Sequence, residues 1–368
     1  MPLRQGNGDE EQIDIRRVLI IRLSAIGDVT FASPLIKSIS NLAPNVEVSW
    51  LAEETVAPLL EHHPLLERVI VWPRAEWRQL LRRGRLVALM RSVLKLRQRL
   101  RDAHFDLVLE VQGLFKSAVL AWMTGAPRRV GFISKEPTGL FLTERIVKDT
   151  GDTISSEYRG MARHVGCQAD DFPMDIALPP EALARASLHR EGGPYVVLAP
   201  FTTRPQKHWP EAHWQRLASQ MCVRGWRVTV LGAPADSAAA ERMFSGVAIE
   251  SMVGVTSLLE SAALVAGAAL VIGVDTGLTH MGWAFRVPTI ALFGSTCPYR
   301  DLGSLVGEVL YLDLACAPCR RRPVCGGRYD CLTDIEPDYV LSRAEGYLTP
   351  TMLAGRVIAS VGDARGSN

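Results

Sequence analysis

Short apolar runs alternate with longer stretches of helical period along most of the chain. Val18–Leu23, Val46–Leu51, Val69–Trp72 and Phe105–Val111 are rich in Val, Ile and Leu and read as buried strands, with Arg129–Phe132 a further one. Between them Val29–Leu42, Glu53–Glu61, a long stretch from about Glu76 to Ala103, and Leu114–Met123 read as helices. Pro34 falls within the first two turns of its helix, where proline costs least. A helix between successive strands makes those strands parallel, because the chain must cross back to the same edge of the sheet. After Pro173, Pro179, Pro180 and Gly192-Gly193-Pro194 the alternation restarts. Tyr195–Ala199, Arg227–Gly232, Ala269–Val274 and Pro288–Phe293 are its strands, and Glu211–Arg224, Asp236–Phe244 and Thr256–Gly267 its helices.

The pattern predicts an α/β protein of two Rossmann-like doubly wound domains. Residues 1–17 form a flexible lead, 18–178 a first domain, and 179–194 a linker with one short helix. Residues 195–345 form a second domain, and 346–368 a tail that is helical and packs back on the first. The length of 368 residues agrees with two domains, and 48% hydrophobic with 22% charged residues describes a globular chain with ample core. A net charge of +2 gives no general argument for nucleic acid as a partner. No apolar run reaches the length of a membrane-spanning helix, and the polar N-terminus lacks a signal-peptide core, so a cytoplasmic location is expected. Seven cysteines in so long a chain do not suggest a secreted disulfide framework.

Neither GxGxxG nor GxxxxGK[ST] occurs, which argues against a standard dinucleotide enzyme and a P-loop nucleotidase. Ligands of doubly wound sheets bind at the carboxyl ends of strands. The turns there are Ser24–Asp28, Gln112-Gly113, Phe201–Lys207 and Asp275–His280, which line one cleft if the two sheets face each other. Asp28 can be a general base or a helix cap. Thr202, Thr203 and Lys207 offer two hydroxyls and an ammonium group to a diphosphate. Asp275, Thr276 and Gly277 open a helix whose free N–H groups suit a phosphate, with His280 one turn on; the same residues also describe an ordinary capped junction. Gln112 and Gly113, at the matching turn of the first domain, are candidates for binding an acceptor.

Two features stand apart from these turns. Between Arg74 and Arg101 lie ten Lys or Arg and one acidic residue, Glu76, interspersed with apolar residues. This basic amphipathic segment suits an anionic lipid surface, or is a surface helix packing one face on the sheet. Cys316, Cys319, Cys325 and Cys331 follow the spacing C-x2-C-x5-C-x5-C. A structural zinc site, a labile disulfide and free thiols are all compatible with it.

Taken together, Ser24-x-x-Gly27-Asp28, Thr202-Thr203 followed by Lys207-His208-Trp209-Pro210, Asp275–His280 and Pro288–Thr296 resemble glycosyltransferase family 9, the ADP-heptose–lipopolysaccharide heptosyltransferases. The likeness runs from about Val18 to about Ile335, and the cysteine loop also looks like that of members similar to heptosyltransferase II. The resemblance implies a GT-B architecture with a central cleft, the nucleotide-sugar donor on the C-terminal domain and the acceptor on the N-terminal one. It implies inverting transfer with Asp28 as catalytic base and Lys207 stabilising the leaving group. Lys207, Asp275, Thr276 and Gly277 would contact the diphosphate and heptose, Thr202 and Thr203 the phosphates, and His280 matches the family's histidine. Thr256 aligns with a position near the adenine. The partners implied are ADP-heptose, a phosphorylated lipid A–core acceptor (Kdo-lipid A or heptosylated core) and an anionic membrane surface, with no nucleic acid and no cofactor required for the chemistry. The implied location is peripheral, on the cytosolic face of the inner membrane of a Gram-negative bacterium. A relative using another nucleotide sugar or acceptor, and a non-catalytic nucleotide-sugar-binding protein, are the competing readings; Asp28 and Lys207 together argue against the second.

Overall fold

The computed structural model describes residues 15–296 and 299–348. Among the described residues twelve strands form two six-stranded sheets in which every paired strand is parallel. The first sheet holds β1 (Arg17–Ile21), β2 (Glu47–Glu53), β3 (Leu66–Trp72), β4 (Leu107–Glu110), β5 (Arg128–Phe132) and β6 (Glu144–Ile146), in the order β3-β2-β1-β4-β5-β6. The second holds β7 (Tyr195–Ala199), β8 (Arg227–Val230), β9 (Glu250–Ser251), β10 (Leu270–Val274), β11 (Thr289–Phe293) and β12 (Gly307–Tyr311), in the order β12-β11-β10-β7-β8-β9. Both orders are the same doubly wound arrangement, reversing direction between β1 and β4 and between β7 and β10.

Central strands β7, β10 and β11 are buried at all five positions, which is why they read as unbroken apolar runs. One core cluster joins the two sheets. It packs Val18, Phe31 and Tyr158 of the first with Trp283, Ala291 and Phe293 of the second. At the sheet edges the backbone N–H of Asp301 donates to the carbonyl of Asp152 at 3.2 Å, and the Thr153 hydroxyl donates to Asp301 at 3.0 Å.

Several expected elements change shape. The helix expected over Val29–Leu42 is two, Ile26–Ala32 and Pro34–Ser40, because Pro34 has no N–H to continue the first and instead opens the second at its first position. The long stretch from Glu76 to Ala103 is also two helices, Arg74–Arg82 and Leu86–Asp102, broken at Gly84, whose φ of +67° lies in the left-handed region. The stretch expected as a linker carries the twelve-residue helix Pro180–Glu191, whose Ala182 and Ala186 enter the core beside Leu264 and Tyr195. Strands β6, β9 and β12 and the helix Ser156–His164 were not anticipated; they are short or weakly apolar. The lead up to residue 14 and all but the first three residues of the expected C-terminal tail lie outside the described residues.

Candidate active site

Asp28 is the third residue of the helix Ile26–Ala32, at the carboxyl end of β1. Its carboxylate accepts from the Ala25 N–H at 3.3 Å and meets the Arg22 guanidinium at 2.5 Å. Capping therefore occupies part of the carboxylate, and the side chain is still half exposed. Arg22 is buried and donates to the Val111 carbonyl at 2.9 Å. Burial works against its charge, but Tyr158 and Asp28 outweigh that and hold its pKa above the ordinary arginine value. Gln112 clamps the same turn, its amide oxygen accepting from Leu23 N–H at 2.7 Å and its amide nitrogen donating to the Ser24 carbonyl at 3.0 Å. The N–H groups of Gln112 and Gly113 both donate to Glu110, at 3.0 and 2.9 Å. Burial raises the Glu110 pKa even so. Gln112 and Gly113, expected at the acceptor site, thus also build the support of the turn that carries Asp28.

Beside this turn, Glu53 at the end of β2 is buried and collects two cations, Arg74 at 2.9 Å and Lys116 at 3.2 Å. Both also lie over the Trp72 ring, at 5.9 and 5.2 Å from its centroid.

Asp275, at the end of β10, is the hub of the second half-site. Lys207 forms an ion pair with it, the Thr296 hydroxyl donates to it at 2.5 Å, and His280 Nε2 lies 3.0 Å away. Burial pushes the Asp275 carboxyl up, but His280 and then Lys207 more than reverse this and hold it well below the usual carboxylate range. The His280 ring is boxed by Phe31, with centroids 4.5 Å apart, and stacks on Trp283 at 5.8 Å. Thr276 is the N-cap of the helix Gly277–Ala284, yet neither it nor Asp275 caps with its side chain, so the first N–H groups stay unclaimed by a cap. Lys207 ends a 3-10 turn, Pro205–Lys207, closed by its own N–H donating to the Arg204 carbonyl at 3.0 Å, and just beyond it the Trp209 indole donates to the Ile335 carbonyl at 2.9 Å. Among the described residues the hydroxyls of Thr202 and Thr203 make no hydrogen bond, which leaves them available to a ligand.

The two halves touch through their glycines. A Cβ on Gly27 would lie 2.3 Å from the His280 ring, and one on Gly277 would lie 2.5 Å from the Ile26 side chain. Only glycine at both positions allows the turns bearing Asp28 and Asp275 to abut. Gly277, expected at the donor phosphate, also makes room for the opposite domain. Tyr299 completes the junction: burial raises its hydroxyl pKa, and the charges of Glu157, Asp28 and Asp275 add to this.

Sequence reasoning did not single out Arg22, Glu53, Arg74, Lys116 and Thr296 as site residues. A charged residue closing the apolar run of β1 was the available signal for Arg22. Thr296 ends the Pro288–Thr296 motif. The remaining three come together only through the sheet order. Among the described residues no group of three His, Cys, Asp or Glu is placed to hold a metal ion. Cys316 is exposed, whereas Cys331 packs against Gly294 and burial pushes its thiol up to about 11. The loop they belong to reaches the site through its backbone: Gln206 donates to the Arg320 carbonyl at 3.1 Å, and Arg320 N–H donates to the Ser295 carbonyl at 2.5 Å.

The family model described as Glycosyltransferase family 9 (heptosyltransferase) matches residues 93–327. Lipopolysaccharide heptosyltransferase 1 of Pseudomonas aeruginosa is 33% identical over 321 residues, covering 83% of this chain and 86% of that protein. Its Escherichia coli namesake is 30% identical over 289 residues, covering 77% and 89%. The structure of E. coli heptosyltransferase WaaC with ADP-2-deoxy-2-fluoro heptose superposes with a TM-score of 0.68 at 27% identity, covering 90% of this chain and 99% of that one.

Proposed function

The chain belongs to glycosyltransferase family 9, and from that premise we propose that it moves heptose from ADP-heptose to the inner core of lipopolysaccharide. It is a glycosyltransferase of GT-B architecture, with two doubly wound domains meeting at the carboxyl ends of their strands. The observation that carries the reading is the meeting of the Asp28 turn with the Lys207–Asp275–His280 cluster at Gly27 and Gly277.

In this reading Asp28 takes the proton from the attacking acceptor hydroxyl as the oxygen closes on the anomeric carbon. A single displacement with one base inverts the configuration there. The departing ADP gains negative charge on its β-phosphate. Lys207 and the N–H groups opening the helix Gly277–Ala284 stabilise it, with Thr202 and Thr203 as further donors. Asp275 turns Lys207 and His280 toward the sugar and diphosphate. In this reading the chemistry needs no metal, and a structural zinc at the cysteine loop would take no part in it. Arg74, Lys116 and the turn carrying Gln112 and Gly113 border the acceptor side, where cations suit the anionic groups of a phosphorylated lipid A–core. Because that acceptor is a lipid, the enzyme works as a peripheral protein on the cytosolic face of the inner membrane. Among the described residues no helix is long and apolar enough to cross a membrane.

The test is incubation of the purified chain with ADP-heptose and either Kdo-lipid A or heptosylated core. The expected result is ADP release coupled to a heptose-sized mass gain of one acceptor, unaffected by a chelator. If neither acceptor gains mass while another nucleotide sugar is consumed, the donor assignment falls.

A further inference from the structure

The helix Leu86–Asp102 has two apolar faces, and only one is used by the fold. Leu96 and Leu100 point into the core beside Phe105 and Ala118. Val87, Met90 and Leu94, at i, i+3 and i+7, form a second stripe that is 68%, 59% and 51% exposed. Leu81 and Leu86, across the Gly84 break, extend it and are exposed as well. The surface continues onto the next helix, Phe115–Met123: the Arg97 guanidinium lies 5.8 Å from the Trp122 ring, and Trp122 and Phe115 both pack on Phe141 while staying partly exposed.

The charge around this stripe is one-sided. From Arg74 to Arg101 there are ten Lys or Arg and one Glu, against 41 basic and 39 acidic residues in the whole chain, so the remainder is net acidic. Arg82, Arg83, Arg85, Arg91, Lys95 and Arg99 are exposed and make no ion pair among the described residues. Several exposed arginines of the second domain are instead neutralised, as in Arg216–Asp338, Arg242–Glu211 and Arg343–Glu308, although Arg320, Arg321 and Arg322 of the cysteine loop make no ion pair among the described residues.

We propose that this face, built from the helices Arg74–Arg82, Leu86–Asp102 and Phe115–Met123, seats the protein on an anionic bilayer, with Val87, Met90 and Leu94 entering the headgroup–acyl boundary and the surrounding arginines holding lipid phosphates. An apolar stripe edged with unpaired cations and an interfacial tryptophan is the combination a lipid surface satisfies. A second copy of the chain does not fit it, because two such faces would bring like charges together. The same face borders the reaction site: Arg74 opens the first of these helices and Lys116 lies in the first turn of the last, and both reach Glu53 beside Ser24. Seating there would present the Asp28 turn to a lipid-borne acceptor. That benefit rests on the proposed function, whereas the seating itself does not.

The test is co-sedimentation of the full chain with vesicles of phosphatidylcholine alone and of phosphatidylcholine with phosphatidylglycerol. Wild type should bind only the anionic vesicles, lose binding as salt rises, and show Trp122 quenching by brominated acyl chains that is absent in Trp122→Phe. Met90→Ser with Leu94→Ser should weaken anionic binding by about 10-fold or more, since it removes the inserted apolar groups. Arg82→Glu with Arg83→Glu and Arg85→Glu should do likewise, and ADP affinity should match wild type in both variants. Equal binding to neutral vesicles, or full binding by Met90→Ser/Leu94→Ser, overturns the proposal. So does lipid-independent dimerisation that this double variant abolishes, since a second copy would then own the stripe. Intact anionic binding without heptose transfer would instead overturn the proposed function and leave the seating standing.

Discussion

Asp28 and Lys207 sit on opposite sides of the same junction, and their substitutions should separate cleanly. Asp28→Asn keeps the carboxamide near Arg22 but cannot accept a proton, so turnover should fall by roughly 10²-fold or more with ADP affinity nearly unchanged. Steady-state kinetics beside an ADP titration checks this, and near-normal turnover would remove Asp28 from the mechanism. Lys207→Ala should weaken ADP by roughly 10-fold or more, because a charge-assisted contact to the diphosphate is lost. Asp275 keeps His280 and Thr296 as partners, so the fold should survive that change. Unchanged ADP affinity and rate in Lys207→Ala would mean the lysine serves Asp275 alone. Asp275 itself predicts a pH dependence. Its pKa is depressed in the folded protein, so the stability it adds is fully present above the unfolded aspartate value of about 4 and is lost as pH falls below it. The gap in thermal midpoint between wild type and Asp275→Asn should therefore be widest near neutrality and close on acidification. A gap that stays constant down to pH ~3 would contradict the linkage.

At the scale of elements, the junction depends on two helix starts that meet head to head. Gly277→Ala places a methyl group 2.5 Å from the Ile26 side chain and must push the two turns apart. Heptose transfer should drop by about 10-fold or more, since misplacement by an ångström is enough to cost that much, while far-UV circular dichroism stays that of wild type. Gly346→Ala is the control: it lies in the helix Pro337–Tyr347 with nothing within 4 Å, and should be neutral or stabilising by about 0.5–1 kcal/mol. Equal activity of both alanine variants would show that the turns need not touch.

For the molecule as a whole, the shared core should make the two domains one cooperative unit. Phe31 and Tyr158 of the first lie in one cluster with Trp283 and Phe293 of the second, and Leu59 of the first packs with Ala262 and Leu264 of the second. Exposing either domain alone would leave these side chains facing water. Calorimetry should accordingly give one unfolding transition for the ligand-free chain, and two resolved transitions would mean that the interface contributes little. If ADP is held by groups of the second domain, as proposed, it should raise that single transition.

Periodicity alone pointed to two parallel sheets and found most of their strands, because buried central strands such as β7, β10 and β11 must be apolar at every position and their crossovers must be helical, but it missed the short β6, β9 and β12. It also placed Asp28 and Asp275 just past the carboxyl ends of strands, where ligands of doubly wound sheets bind, and Lys207 in the loop that follows β7. The break at Gly84 was written in the sequence but hidden within a continuous basic and apolar stretch, since the left-handed φ that splits it is a backbone property. What spacing could not supply was contact between distant segments. Gln112 clamps Ser24 from nearly ninety residues away, Glu53 gathers Arg74 and Lys116 from two different helices, and Gly277 faces Ile26 across the domain junction. The outward stripe of Val87, Met90 and Leu94 belongs with these: the segment reads as basic and amphipathic, and only the packing shows which apolar face the core takes and which is left exposed. Local sequence sets period and turn chemistry, but the pairing of elements is decided by how the whole chain buries its surface.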